Sequence, residues 1–275
     1  MRVGDGDLNV RSAGSGAPFL WAHGLMSSME TEDALDILRW RHFPASLRLV
    51  RYDARGHGAS APSSGSQQHT WPQLARDMLA VADGAGAGTF IAGGWSMGAA
   101  TALHAALQSP ERVQGLVLML PPAVWEARSA QAALYRRAVR LCASLGPARF
   151  ARLIASEAGV PAWLLRAAPH LGAGMRDGIL RMDTTVIAHL YGGAALSDLP
   201  SRADLAVLAA VPALIVAWPD DPAHPLASAQ ELHRLLPRST LMLAATHDDV
   251  QSIPAALHRF LTRIGTPAAL PLAGR

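Results

Sequence analysis

Thr89-Phe90-Ile91-Ala92-Gly93-Gly94-Trp95-Ser96-Met97-Gly98-Ala99-Ala100 is the stretch whose reading decides the fold. It opens on a short apolar run of strand type, crosses a pair of glycines, and continues into an Ala-rich helical pattern from Met97 to Leu107 that stops before Ser109-Pro110. At the junction, Gly94-Trp95-Ser96-Met97-Gly98 has G-x-S-x-G spacing, and it stands in the strand–turn–helix context that this spacing requires. A turn this sharp strains the serine backbone and brings neighbouring Cα atoms close together, which glycine permits. It lifts the serine hydroxyl to the top of a sheet and aims the N-terminus of a helix at developing negative charge. The spacing therefore assigns Ser96 as a nucleophile.

Other short apolar runs flank this one, and each ends in turn chemistry. Pro18 to Ala22 ends at His23-Gly24, Leu47 to Tyr52 at Asp53, and Gly115 to Leu120 at Pro121-Pro122; Ala213 to Ala217 and Ser239 to Leu243 follow later. Near-continuous apolar strands of about five residues imply burial on both faces, as in a parallel sheet covered by helices. Helical patterns fall between them. Leu74 to Ala82 follows Thr70-Trp71-Pro72-Gln73, which has capping-box spacing; Leu226 to Leu236 stops at Pro237; a last helix starts at Pro254 and runs to about Ile264. The alternation predicts an α/β fold with a doubly wound, mostly parallel sheet.

One interval breaks this rhythm. From Ala123 to Pro200 there is no strand-like run, only helical stretches such as Ser129 to Leu145, Ala148 to Ala158 and Gly178 to His189. Residues 1–122 and 201–275 are therefore expected to form the sheet core, and 123–200 a helical cap over one end of it. The Pro/Gly/Ala-rich segment Thr266 to Arg275 is expected to fray.

Composition narrows the function classes. Of 275 residues, half are apolar and 16% charged, enough for a large core. All 24 basic residues are Arg, scattered among 21 acids for a net charge of +3, with no basic stripe of the kind a nucleic acid needs. The single cysteine, Cys142, excludes an intrachain disulfide framework and a Cys-based zinc site. The first seven residues lack the apolar core of a signal peptide. The longest apolar run, Leu205 to Pro219, contains Pro212 and falls short of the ~20 residues of a spanning helix. A cytoplasmic protein acting on a small-molecule substrate is expected, with no nucleic-acid or membrane partner, no cofactor and no metal.

A serine hydroxyl needs a base, and the base needs a group to orient it; in this architecture the chain order is Ser, acid, His. The strand ending at Ala217 runs into Trp218-Pro219-Asp220-Asp221-Pro222-Ala223-His224-Pro225. The next one ends at Ala244-Ala245-Thr246-His247-Asp248-Asp249. Both loops follow the C-terminal end of a strand, where open α/β sheets gather their chemistry. Of eleven histidines, His247 has the position expected of the base. His224 stands close to the acid in sequence and reads as a loop residue, while His104, His233 and His258 fall within helical patterns.

These motifs, spread along nearly the whole chain, resemble the α/β-hydrolase superfamily in its small capped esterase, lactonase and perhydrolase-like branch. In that branch the acid sits in a G-x-x-D-x-x-x-P pattern, matched here by Trp218-x-x-Asp221-x-x-x-Pro225 with Trp in place of the glycine. The resemblance thus selects Asp221 over Asp220. Acyl transfer also needs two donors on the tetrahedral oxygen. One is expected from the Met97 N–H, and the resemblance places the other on Leu25, after His23-Gly24. Tyr52-Asp53-Ala54-Arg55-Gly56-His57-Gly58-Ala59-Ser60 matches the superfamily's D-x-R-G-x-G-x-S segment and reads as structural, Asp53 and Arg55 tying the loop together.

For substrate binding, Trp95, Met26, Pro122 and Trp125 are expected to wall the pocket, with Trp218 as a further candidate. Arg136 and Arg140 share a helix face and read as solvated. The resemblance implies a serine hydrolase acting on a small carboxylic ester or enol-lactone through an acyl-enzyme. A cofactor-free perhydrolase or acyltransferase and a non-catalytic ligand-binding protein are the alternatives, because fold alone does not set function.

Overall fold

The computed structural model describes residues 1–3, 6–63, 65–156 and 160–265. The segment Thr266 to Arg275, expected to fray, lies outside the described residues.

Strands β1 (Arg2–Val3) and β2 (Gly6–Asp7) pair with each other. A seven-stranded sheet carries the rest: β3 (Val10–Ala13), β4 (Pro18–Ala22), β5 (Arg48–Tyr52), β6 (Phe90–Trp95), β7 (Val113–Met119), β8 (Ala213–Ala217) and β9 (Ser239–Leu243). Their order is β3-β5-β4-β6-β7-β8-β9, with only β3 antiparallel. Helix α1 (Met29–Leu35) links β4 to β5, α2 (Trp71–Gly84) links β5 to β6, and α3 (Met97–Gln108) links β6 to β7. Between β7 and β8 come α4 (Arg128–Leu145), α5 (Pro147–Ser156), α6 (Ala162–Ala167), α7 (His170–Arg181) and α8 (Ile187–Ala195). Helix α9 (Leu226–Leu235) joins β8 to β9, and α10 (His247–Gly265) closes the chain.

Alternate residues of each strand feed opposite cores. Leu20, Ala22, Val50, Ala92, Leu116, Leu118 and Ile215 pack with α2, α3 and α9, whereas Phe19, Trp21, Leu49, Ile91, Val117 and Val216 pack with α1 and α10. Burial on both faces explains the unbroken apolar strands. A third cluster, with Cys142, Phe150, Ile179 and Leu190, lies among the inserted helices.

Local signals place the helix ends. The capping box expected at Thr70 is not formed, since the Thr70 hydroxyl donates to the Gln67 carbonyl instead. A capping box forms at Thr246: its hydroxyl accepts the Asp249 N–H at 3.2 Å and the Asp249 carboxylate accepts the Thr246 N–H at 2.9 Å. Helix α10 therefore starts at His247, seven residues before the expected Pro254, which lies inside it. The stretch expected as one helix over 178–189 is broken between α7 and α8, where Asp183 accepts the N–H and hydroxyl of Thr185 in a local turn. Strand β3 was not expected; three of its four residues are exposed, so it lacks the apolar signal of the buried strands.

The tightest contact in the sheet lies where β6 turns into α3. A Cβ on Gly98 would land on the Ala22 carbonyl at the end of β4, and one on Gly94 would strike both Gly98 and Ala22. Around Gly88 there is open space. Gly98→Ala should therefore lower unfolding free energy in urea by more than about 2 kcal/mol, against a change within about 0.5 kcal/mol for Gly88→Ala. Similar midpoints for both variants would show that the junction tolerates a side chain.

Candidate active site

Ser96 sits at the junction with φ 55° and ψ −109°, in the region that disfavours side chains. Its N–H donates to Met119 O at 2.9 Å and its carbonyl accepts the Ala100 N–H, so both sides of the strained residue are fixed. Its hydroxyl is left at the C-terminal edge of the sheet.

The Ser96 hydroxyl faces His224, with Oγ 2.7 Å from Nε2. The other ring nitrogen of His224, Nδ1, lies 2.8 Å from Asp221 Oδ2. Asp221 and His224 come from one turn, because the His224 N–H also donates to the Asp221 carbonyl across Pro222-Ala223 and brings side chains i and i+3 together. The Ala123 N–H donates to Ala223 O at 3.0 Å and anchors this turn beside the end of β7. Trp218 Nε1 donates to Asp221 Oδ2 at 2.8 Å, and the Ala223 N–H donates to Oδ1 at 3.1 Å. Burial by itself would raise the Asp221 pKa, but the hydrogen bonds from His224, Trp218 and Ala223 outweigh it and hold the carboxyl below its ordinary value. Asp220 is exposed and points its backbone through φ 59°.

The base expected from sequence requires correction. His247 does not reach Ser96. As the first residue of α10 it is turned along that helix, its Nε2 3.2 Å from Gln251 Nε2, and it borders a surface cleft with Leu35, Asp36 and His170. The capping box at Thr246 sets this orientation by starting the helix at that residue. The sequence signal for His224 is Asp221-Pro222-Ala223-His224-Pro225, a proline-bounded turn in which a separation of three residues is the one a β-turn closes.

Two N–H groups border the nucleophile. Met97 opens α3, so its N–H has no acceptor within the helix. Gly24 lies against the elbow: a Cβ there would be 3.5 Å from Trp95 O and 3.7 Å from Ser96 Cβ, which sets the Gly24–Leu25 peptide beside the serine. Behind this loop, the His57 ring accepts the Met26 N–H at Nε2 (3.4 Å) and donates from Nδ1 to Arg55 O (3.0 Å). His23 likewise accepts the Ala54 N–H at 2.9 Å and donates to Gly24 O at 2.8 Å. Asp53 accepts the N–H groups of Met29 (2.7 Å) and Ala59 (3.0 Å), while Arg55 makes a two-pronged pair with Asp77 at 2.6 and 2.7 Å. The D-x-R-G segment thus braces the loop from behind.

Ser96 and His224 open into a cavity of about 90 Å³, walled by Leu25 and Trp95 and, from the inserted helices, by Leu164, Leu171 and Met175. Trp218 also lines it and meets Trp95 edge to face at 5.7 Å. Three expected wall residues do not line this cavity. Met26, held at φ 61°, packs into the apolar cluster of the inserted helices. Pro122 is buried. Trp125 packs below the sheet core and donates its indole N–H to Pro200 O at 2.9 Å, beneath the Arg202 guanidinium. Arg136 and Arg140 are exposed on α4. Among the described residues, no cluster of three or more His, Cys, Asp or Glu side chains stands where it could hold a metal, and no helix is long and apolar enough to cross a membrane.

Comparison with known proteins accords with this architecture. The family model described as alpha/beta hydrolase fold matches residues 17–250, and the chain belongs to that family. Among individual relatives, it is 27% identical over 253 residues to a pimeloyl-[acyl-carrier protein] methyl ester esterase of Nitrosomonas europaea, covering 86% of this chain and 90% of that protein. It also resembles the solved structures of a thermophilic esterase from Thermogutta terrifontis (TM-score 0.78, 24% identity, 95% of both chains) and of the enol-lactonase from Burkholderia xenovorans (TM-score 0.71, 21% identity, 94% of this chain and 96% of that one).

The histidines behind the loop make stability depend on pH. Burial drives the His57 pKa well below its ordinary 6.5, with neighbouring His23 adding to the effect. Burial likewise lowers His69 to about 4, with Arg55 and His189 contributing. A histidine lowered in the folded state binds fewer protons than in the unfolded chain, so its contribution is complete above pH 6.5 and is lost as pH falls toward the folded value. Between pH 6.5 and about 4, unfolding free energy should fall by up to about 1.4 kcal/mol per pH unit for each such histidine. Urea titrations at pH 7.5, 6 and 5 measure this, and His57→Gln should flatten the slope. An unchanged slope in that variant would mean that His57 does not carry the dependence.

Proposed function

We propose that the protein is a serine hydrolase that cleaves small carboxylic esters or lactones through an acyl-enzyme, with Ser96 as nucleophile, His224 as base and Asp221 orienting that base. The observation that carries this reading is the continuous line from Ser96 Oγ to His224 Nε2 (2.7 Å) and from Nδ1 to Asp221 (2.8 Å), beside a cavity. The esterase and lactonase relatives support the same reaction class.

In this mechanism His224 removes the Ser96 proton as Oγ attacks the carbonyl carbon. The Asp221 carboxylate holds the ring in the tautomer that leaves Nε2 free to accept, and stabilises the imidazolium that forms. The tetrahedral oxygen is received by the N–H groups of Met97 and Leu25, at the positive end of α3. His224 then returns the proton to the leaving alcohol, and water attacks the acyl-enzyme by the same route in reverse. The helices within 123–200 act as a cap, with α6 and α7 forming the roof of the acyl pocket through Leu164, Leu171 and Met175.

The test is the hydrolysis of p-nitrophenyl acetate and butyrate by four proteins. Ser96→Ala and His224→Ala should each lower kcat/KM by about 10³-fold or more, whereas His247→Ala should stay within about threefold of the parent. A large loss in His247→Ala with activity kept in His224→Ala would transfer the base to His247. No burst or turnover in the parent protein would remove the enzyme reading altogether.

A further inference from the structure

The acyl pocket contains one feature that ester cleavage does not use. Its walls are apolar at Leu35, Ile37, Leu164 and Met175, yet they include the acid Glu32, on the first turn of α1. The Glu32 side chain is only 5% exposed. A buried carboxylate normally has its acceptor positions filled, and the accounting for this one is incomplete. Trp21 Nε1 donates to both oxygens, at 2.9 Å to Oε1 and 3.0 Å to Oε2. Arg51 donates to Oε2 at 3.2 Å. Among the described residues Oε1 therefore receives one shared donor, where a carboxylate oxygen accepts two.

The cations near this acid lie outside the pocket. Arg51 is shared between Glu32 and Asp33, and its guanidinium lies over the Trp40 ring at 4.9 Å. It borders the groove on the outer side of this wall and is absent from the lining of the acyl pocket. Asp33 is paired with Arg11 as well, at 3.2 Å, and neither arginine is among the residues that line the acyl pocket. The pocket thus presents an acceptor with negative character inside an apolar wall. It offers nothing to neutralise a second anion, whose burial there is heavily penalised.

We propose that Glu32 is a specificity-determining residue of this pocket. It selects neutral acyl groups that carry a hydroxyl or amide N–H on an otherwise apolar chain, and it rejects acyl groups ending in a carboxylate. Oε1 accepts the hydrogen bond from the substrate, and Ser27, which lines the same wall, supplies a second polar contact. The assignment rests on the acyl-enzyme reading for its catalytic consequence, but the binding preference is measurable without it.

Two measurements separate the two claims. The first compares p-nitrophenyl esters of four- to eight-carbon acids ending in methyl, hydroxyl or carboxylate. In the parent protein kcat/KM should be highest for a hydroxyl ester and at least about 30-fold lower for the matching carboxylate than for the methyl compound. Glu32→Gln, which keeps the size and removes the charge, should shrink the carboxylate penalty by about tenfold or more. The second measures binding of the corresponding amides to Ser96→Ala by calorimetry, which needs neither turnover nor a folded Glu32 variant. The hydroxyl amide should bind more tightly than the methyl amide, and the carboxylate amide least. Carboxylate ligands bound or hydrolysed as well as methyl ones overturn the assignment, as does a penalty unchanged in Glu32→Gln. The expected binding order without any ester hydrolysis would leave the Glu32 assignment standing and sink the serine-hydrolase reading.

Discussion

The close approach of the β6–α3 junction to the end of β4 is the constraint on which the rest of the site depends. Gly94 and Gly98 let the backbone press against the Ala22 carbonyl, where any side chain would collide. That contact draws the N-terminus of α3 next to the loop after β4, so the Met97 and Leu25 peptides flank one serine. The strained Ser96 conformation is held by the Met119 carbonyl on one side and the first helical turn on the other. Strain of this kind costs about 1–3 kcal/mol and persists because the packing around it over-determines the backbone.

A second layer stands behind that junction and is almost wholly polar. Asp53 ties the N-terminus of α1 to the loop after β5, Arg55 locks onto Asp77 of α2, and His57 receives the Met26 N–H. These groups touch no reacting atom in the proposed mechanism. They tie the loop after β4, whose Leu25 and Met26 pack into the apolar clusters, to the loop after β5, and burial is the source of the lowered His57 and His69 pKa values. Arg51 joins Glu32 to this layer through the Met29 carbonyl, so one network both braces the loop after β4 and holds the acid of the cavity wall.

The Asp221–His224 pair is built differently. Asp221 and His224 belong to a single turn, and Trp218 occupies the place where the family pattern has glycine. Its indole both bonds the acid and meets Trp95. In the proposed mechanism a base supplied from the acid's own turn does not need the loop after β9, which is left to start α10 with a capping box. His247 accordingly becomes the first residue of a helix.

What the sequence by itself determined was whatever short-range patterns encode. Buried parallel strands have to be continuously apolar, so Pro18–Ala22 and Ala213–Ala217 were legible to the residue; the edge strand Ser239–Leu243 was legible from the apolar run at its end, and the glycines around Ser96 marked the strand-to-helix turn. The half-exposed edge strand β3 carried no such pattern and was missed. The tertiary structure alone decided the partners. Whether Ser96 meets His224 or His247 turns on how two loops from different strands leave the sheet, a matter of helix capping and turn closure several residues away. Of the pocket walls, Trp95 and Trp218 were legible because they adjoin Ser96 and the end of β8; the rest depends on where α6 and α7 settle, bringing Leu164, Leu171 and Met175 over the serine while Met26 turns away into the cluster of the inserted helices. Glu32 acquires its place only when Trp21 and Arg51 arrive from β4 and β5.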